Sequence, residues 1–285
     1  MKLLMLPHYD ELGLDNGVGQ VIYYYHKYLP QVGVEITTNR DDSFDISASH
    51  LGHYPQANIH FSHGLYWGDV SEQQHRTNAQ IIEAIRHAKA IVVPSNFVAE
   101  TFRRDFRIEP YIIPHGIEVD QWQHNFEQEG YVLWNKNRMT NVCNPQPVIE
   151  LAKRFPNIQF LTTFCNESLP NVTVIGRMPF DEMKPLIQKC SIYLATAKET
   201  FGIGTLEALA SGKPILGFAW GGTKDIVTHK KDGYLVNPYN YDALSEGLQF
   251  LLENDLSETC KKTALRYNWL QIAIQLKGVF NSVKG

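Results

Sequence analysis

The chain has 285 residues, a net charge of −4, a hydrophobic content of 44% and a charged content of 20%. This balance belongs to a folded globular protein of one large or two modest domains. It excludes nucleic-acid binding driven by bulk positive charge, and the absence of any long apolar run excludes a helix spanning a bilayer.

Lys2 to Pro7 reads as a buried first strand. A polar, glycine-containing loop over Glu11–Gly19 follows, then a helix over Gln20–Leu29. Short strands are predicted at Gly33–Thr38 and Asn58–Ser62. Ser71–His87 carries Ile81, Ile82 and Ile85 at helical spacing. Ala90–Pro94 is a strand, Ser95 suits the N-cap of a helix over Phe97–Phe106, and Tyr111–Pro114 is a further strand. His115–Gln128 is polar and weakly periodic, and reads as the crossing between two halves.

A second series opens at Tyr131–Trp134. Helix Pro147–Phe155 leads to strand Gln159–Thr163, and strand Val172–Ile175 leads to helix Phe180–Lys189. Strand Cys190–Ala195 precedes helix Thr205–Ala210, and strand Pro214–Phe218 precedes Gly221-Gly222 and a short helix. Gly233–Val236 is a last strand, and Tyr241–Leu252, Ser257–Tyr267 and Trp269–Val283 are helices. Strands alternating with helices of these lengths predict parallel sheets, and two such series predict two doubly wound α/β domains.

Lys2 is followed by only a short apolar run before His8, Tyr9, Asp10 and Glu11, so no secretory leader is expected. Cys143, Cys165, Cys190 and Cys260 form no C-x-x-C pair and no cluster with histidine, which predicts no metal site and a reduced, cytoplasmic setting. Arg103, Arg104 and Arg107 read as a solvated helix face.

The most informative segment is Glu199-Thr-Phe-Gly-Ile-Gly-Thr-Leu-Glu207. It follows a buried strand, and open α/β sheets bind ligands at the carboxyl ends of their strands. A helix N-terminus behind a glycine turn offers free N–H groups to a phosphate. Two carboxylates beside it can accept hydrogen bonds from hydroxyls. Phosphate and hydroxyls together suggest a nucleotide sugar.

Glu199-x7-Glu207, followed by Ala-Leu-Ala-Ser-Gly-Lys-Pro, resembles the donor-site signature of retaining GT-B glycosyltransferases of the GT4-like group. The resemblance runs on through Gly217, Gly221-Gly222, Asp225-Ile-Val227 and Asp232-Gly-Tyr-Leu-Val236, and covers most of residues 131–250. In the first half it rests on Gly17-Val-Gly19, His63 and Ile113-Pro-His-Gly116. It implies two Rossmann-like domains facing across a cleft: an acceptor-side domain over 1–120, rejoined by a C-terminal helix over 269–285, and a donor domain over 121–268.

The resemblance implies that Glu199 sits beside the donor sugar and that Glu207 holds the ribose hydroxyls. Phe201, Gly202, Ile203, Gly204 and Thr205 form the turn that presents N–H groups to the diphosphate. Lys136 and Arg138 are the candidate cations for the leaving diphosphate, in an order that departs from the family's usual Gly-Arg followed by Lys. His63 is expected near the donor sugar, Gly17 and Gly19 near donor phosphate and acceptor, and Arg177 and Met178 near the nucleotide base. His8 and His115 are weaker candidates. The resemblance implies no cofactor, no metal and no enzymic nucleophile. The co-substrate is a nucleoside-diphosphate sugar, UDP- or GDP-linked, with ADP also open, and attack is expected on the front face.

The acceptor is left open between a glycan, a small molecule and a modified DNA base, as in a phage-type DNA glycosyltransferase. For the last, the run Tyr23, Tyr24, Tyr25, His26 and Lys27 could supply stacking and charge. The same run also reads as packing between helix and sheet. A non-catalytic nucleotide-sugar binding module is the different-class alternative. A phosphorylase carrying pyridoxal phosphate would need a Schiff-base lysine and a far longer chain.

Overall fold

A computed structural model describes residues 1–14, 16–65, 71–122, 129–136, 139–140 and 142–284. Contacts divide the chain into unit 1, Met1–Gly116 with Tyr267–Gly285, and unit 2, Ile117–Arg266.

Unit 1 holds β1 (Lys2–Leu6), α1 (Tyr9–Leu12), α2 (Gly17–Tyr28), β2 (Glu35–Thr37), β3 (Ile46–His50), β4 (Ile59–Phe61), α3 (Glu72–His87), β5 (Ala90–Val93), α4 (Asn96–Thr101) and β6 (Tyr111–Ile112). The strands form one sheet in the order β2-β1-β3-β4-β5-β6, with every pairing parallel. Leu3, Leu4 and Met5 are fully buried, as a parallel sheet covered on both faces requires. Ser71 caps α3 in a reciprocal box with Gln74, and Ser95 caps α4 through the Val98 N–H.

One local expectation is corrected in this unit and one element is added to it. The polar segment Ile46–His50, given no element by the sequence, is a strand buried along its whole length. Its serines are satisfied internally: Ser47 and Asn58 exchange side-chain and backbone hydrogen bonds, and Ser49 Oγ accepts from the Tyr54 N–H at 2.9 Å. The predicted loop over Glu11–Gly19 holds α1 and the start of α2. Asn16 Oδ1 accepts from the Val18 N–H at 2.9 Å and starts α2 at Gly17. Gly19 packs against the Gly13 carbonyl, where an added Cβ would overlap it.

Unit 2 holds β7 (Tyr131–Trp134), α5 (Gln146–Arg154), β8 (Gln159–Thr162), β9 (Val172–Val174), α6 (Phe180–Lys189), β10 (Ile192–Ala195), α7 (Ile203–Ala210), β11 (Ile215–Phe218), α8 (Thr223–Ile226), β12 (Gly233–Val236), α9 (Tyr241–Glu253) and α10 (Ser257–Ala264). Its sheet runs β12-β11-β10-β7-β8-β9, again all parallel. Counted from β7, this is the 3-2-1-4-5-6 order of dinucleotide-binding folds, and strand order reverses between β7 and β10. Val132, Trp134, Phe160, Leu194, Leu216 and Phe218 from the strands meet Leu151, Leu244 and Leu248 from α5 and α9 in one core.

The last helix, α11 (Trp269–Lys284), packs on α2 and β3 of unit 1. Trp269 stacks on Tyr24 at 4.8 Å and meets Tyr25 edge-on, while Lys277 Nζ donates to the Val32 carbonyl at 2.6 Å. The tyrosine run of α2 is therefore engaged in packing: Tyr25 is buried, and Tyr23 and Tyr24 are half-buried. The fold is α/β, with two six-stranded parallel sheets.

Candidate functional site

The reversal point of the second sheet is where the carboxyl ends of β7 and β10 diverge, and the chain leaves both with charged residues. Lys136 follows β7 and Glu199 follows β10. Their side chains meet, with Lys136 Nζ 3.2 Å from Glu199 Oε1. The Lys136 backbone is braced from β8, because its N–H donates to Thr163 Oγ1 at 2.8 Å and its carbonyl accepts from that hydroxyl at 2.7 Å. The Glu199 carbonyl accepts from the Gly222 N–H at 2.8 Å, which ties the acid's loop to the start of α8.

α7 begins beside this pair. Its N-cap, Gly202, lies in the left-handed region at φ 106°, and no side chain among the described residues caps the helix. Among these residues the first-turn N–H groups at Ile203, Gly204 and Thr205 thus have no side-chain acceptor, which suits an anion. The side chains of Phe201 and Thr205 are buried, so what those residues can present to a ligand is mainly backbone.

Glu207 lies on α7 and is only 9% exposed. Burial pushes its carboxyl up to about 7, against the pull of Lys136 and Lys184. Burial also works against the Lys136 charge, but Tyr193, Glu199 and Cys143 outweigh it and its pKa lies above the ordinary lysine value.

Three supporting residues escape sequence reasoning. Tyr193 lies within the apolar run of β10, and burial pushes its phenol up to about 12. Its hydroxyl donates to Asn135 Oδ1 at 2.6 Å, and its ring lies 5.9 Å from Lys136 Nζ. Gly204 sits on that hydroxyl, where an added Cβ would overlap it and stand 3.3 Å from Cζ. Thr163 is the third. The only available signal was a tyrosine among aliphatic residues, which strand packing explains equally well.

Arg138 falls outside the described residues. Arg177 is exposed and Met178 half-buried, in the loop after the edge strand β9. Gly17 and Gly19 belong to the first turn of α2 in unit 1. His8 caps α1, its Nδ1 accepting from the Asp10 N–H at 3.3 Å.

In unit 1, three histidines gather at the carboxyl edge of the first sheet. His50 ends β3, His63 follows β4 and His115 follows β6. His50 Nδ1 and His63 Nε2 share a hydrogen bond of 2.9 Å, and the His63 and His115 rings lie 5.5 Å apart. Burial pushes His63 down to about 4 and holds His50 and His115 well below the ordinary histidine value. These rings are neutral at neutral pH.

An uncapped helix start, a paired cation and a buried carboxylate at a strand-order reversal match what a nucleoside diphosphate requires. Residues 166–267 match the family model "Glycosyl transferases group 1". This segment is similar to that family.

The group 1 segment extends to curated relatives. Over 132 residues the chain is 32% identical to D-inositol 3-phosphate glycosyltransferase of Corynebacterium urealyticum, covering 42% of this chain and 31% of that one. Over 204 residues it is 23% identical to phosphatidyl-myo-inositol mannosyltransferase of Mycobacterium tuberculosis, covering 61% and 54%. The chain thus spans about a third to a half of the length of these relatives. Among solved structures, sucrose-phosphate synthase from Thermosynechococcus elongatus aligns with a TM-score of 0.78 at 14% identity, covering 99% of each chain. Anabaena HepE, solved with UDP and glucose, aligns at 0.74 and 15%, covering 99% of this chain and 100% of that one. These likenesses identify the fold as GT-B.

Proposed function

We propose that the protein is a retaining glycosyltransferase that moves a sugar from a nucleoside-diphosphate sugar to an acceptor hydroxyl. The observation that carries this reading is the placing of Lys136, Glu199 and the uncapped N-terminus of α7 together at the reversal point of the donor-type sheet. The diphosphate takes the α7 N–H groups and the Lys136 ammonium, and the helix dipole adds to both. Glu199 then exchanges part of its ion pair for donor-sugar hydroxyls. Glu207 accepts the two hydrogen bonds of the ribose diol.

Bond cleavage places negative charge on the leaving diphosphate. Lys136 and the helix start meet that charge with donors already fixed by Thr163, Asn135 and Tyr193, so little reorganisation is needed. Arg138 is assigned as the second cation and the Arg177–Met178 backbone as the contact to the base. His63 is assigned to a substrate hydroxyl. The acceptor hydroxyl attacks on the face the diphosphate leaves and passes its proton to the departing phosphate oxygen. No metal or other cofactor enters this scheme. The UDP bound to HepE makes a UDP-sugar the first donor to try, ahead of a GDP-sugar.

Thermal unfolding with UDP, GDP and ADP tests the reading. The expected result is stabilisation by one nucleotide, lost in Glu207→Ala. The absence of stabilisation by all three refutes it. Donor hydrolysis and transfer with and without acceptor then separate a transferase from a binding module.

A further inference from the structure

From the hydrogen-bond geometry at the carboxyl edge of the first sheet, we infer that His50 is a positioning residue that fixes the tautomer of His63, so that His63 presents Nδ1–H as a donor to substrate. The functional half of this inference rests on the transferase reading; the tautomer itself does not.

A neutral imidazole carries one proton, so only one of the two facing nitrogens, His50 Nδ1 and His63 Nε2, can donate across their 2.9 Å contact. His50 Nε2 is buried and has no hydrogen-bond partner among the described residues. If the His50 proton sat on Nε2, a buried N–H would be orphaned. If it sits on Nδ1, the orphan is a lone pair. Orphaned buried N–H groups are the rarer and costlier case. His50 therefore donates and His63 Nε2 accepts. The proton of His63 is left on Nδ1, which makes no hydrogen bond among the described residues.

The arrangement is built into the sheet. Strand order reverses between β1 and β3, and His50 closes β3 at that point. The register pairs His50 with Phe61 on β4, and the two rings stack at 4.6 Å and 9°. Tyr25 closes on the His50 ring at 5.9 Å. His50 is fully buried, so its ring has no room to turn. His63 stands two residues beyond Phe61, half-buried, with its ring 20° from the plane of His50. The rigid, buried ring sets the tautomer of the accessible one, as an outer partner does for a metal-bound histidine.

Nitrogen-15 NMR of the histidine side chains, at neutral pH and without substrate, tests the assignment. The His63 signals are identified by their loss in His63→Gln. The expected result is Nδ1–H on His63 in the wild type, redistribution toward Nε2–H in His50→Phe, which keeps a stacking ring, and recovery in His50→Asn, whose amide N–H takes the place of Nδ1–H. In transfer assays His50→Phe lowers kcat about tenfold, the loss of one oriented hydrogen bond, with donor KM unchanged, and His50→Asn restores kcat. Nε2–H on His63 in the wild type overturns the tautomer assignment without any variant having to fold. A His63 tautomer unchanged in His50→Phe overturns the positioning role. Since the NMR is read without nucleotide, failure of nucleotide binding refutes the transferase reading separately.

Discussion

The contact between Gly204 and Tyr193 makes a prediction whose sign changes with background. Alanine in place of glycine inside a helix gains about 1 kcal/mol. At Gly204, an added Cβ overlaps the Tyr193 hydroxyl and stands 3.3 Å from Cζ. Overpacking of this kind costs about 1–3 kcal/mol, so Gly204→Ala is expected to destabilise by up to about 2 kcal/mol once the helix gain is offset. Tyr193→Phe removes the 2.6 Å bond to Asn135, at about 1–2 kcal/mol. In the Tyr193→Phe background the overlapping atom is gone, and Gly204→Ala should be neutral or stabilising. Urea unfolding of the four proteins, followed at the transition of unit 2, measures the cycle. A coupling of at least about 1 kcal/mol is expected; additivity within roughly 0.5 kcal/mol would show that the two groups do not press on each other.

Acid stability follows from the buried histidines. His26 and His63 are pushed from 6.5 to about 4, so between those values the unfolded chain binds protons that the folded chain does not. Stability contributed by each is full above 6.5 and lost as pH falls through that window, by about 1.4 kcal/mol per unit at the limit. Urea midpoints should fall from pH 7 to pH 5. His60, buried with neither ring nitrogen partnered among the described residues and pushed down to about 3, should give a His60→Leu variant that gains more at pH 5 than at pH 7. Glu207 runs the opposite way. Its folded carboxyl near 7 binds a proton that the unfolded chain has lost, so stability falls as pH rises from 4.5 through 7. Glu207→Gln should therefore exceed the wild type by up to about 3 kcal/mol at pH 8 and match it at pH 4. Asn171 Nδ2 donates to the carbonyls of Ala152, Phe155 and Ile158 at 3.0–3.1 Å, and Asn171→Ala should cost about 2–3 kcal/mol in thermal unfolding by removing these buried bonds.

What the sequence made legible were elements whose environment is uniform. β1, β7, β10 and β11 are covered on both faces and read as unbroken apolar runs. β3 is just as buried, but Ser47, Ser49 and His50 bond to Asn58, Tyr54 and His63, contacts that no hydropathy pattern records. The start of α2 was hidden for a related reason: glycines that suggest a loop sit in its first turn, admitted by Asn16 as cap and by a close approach to Gly13. At the candidate site, the acids and Lys136 carry a recognisable spacing. Asn135, Thr163 and Tyr193 do not, because what they contribute is orientation across three strands. The hydrogen bond between His50 and His63 depends likewise on the register of β3 against β4.

Unit 1 needs α11 to cover Tyr24, Tyr25 and Phe61, yet the whole of Ile117–Arg266 lies between that helix and the rest of its sheet. On the ribosome, the contiguous unit 2 has every residue it needs before Trp269 is made. The strands of unit 1 must wait with an aromatic face open to water until α11 is made. The order in which the two units can be completed is the reverse of the order of their strands in the chain, and a stall before Trp269 falls on the strands of unit 1.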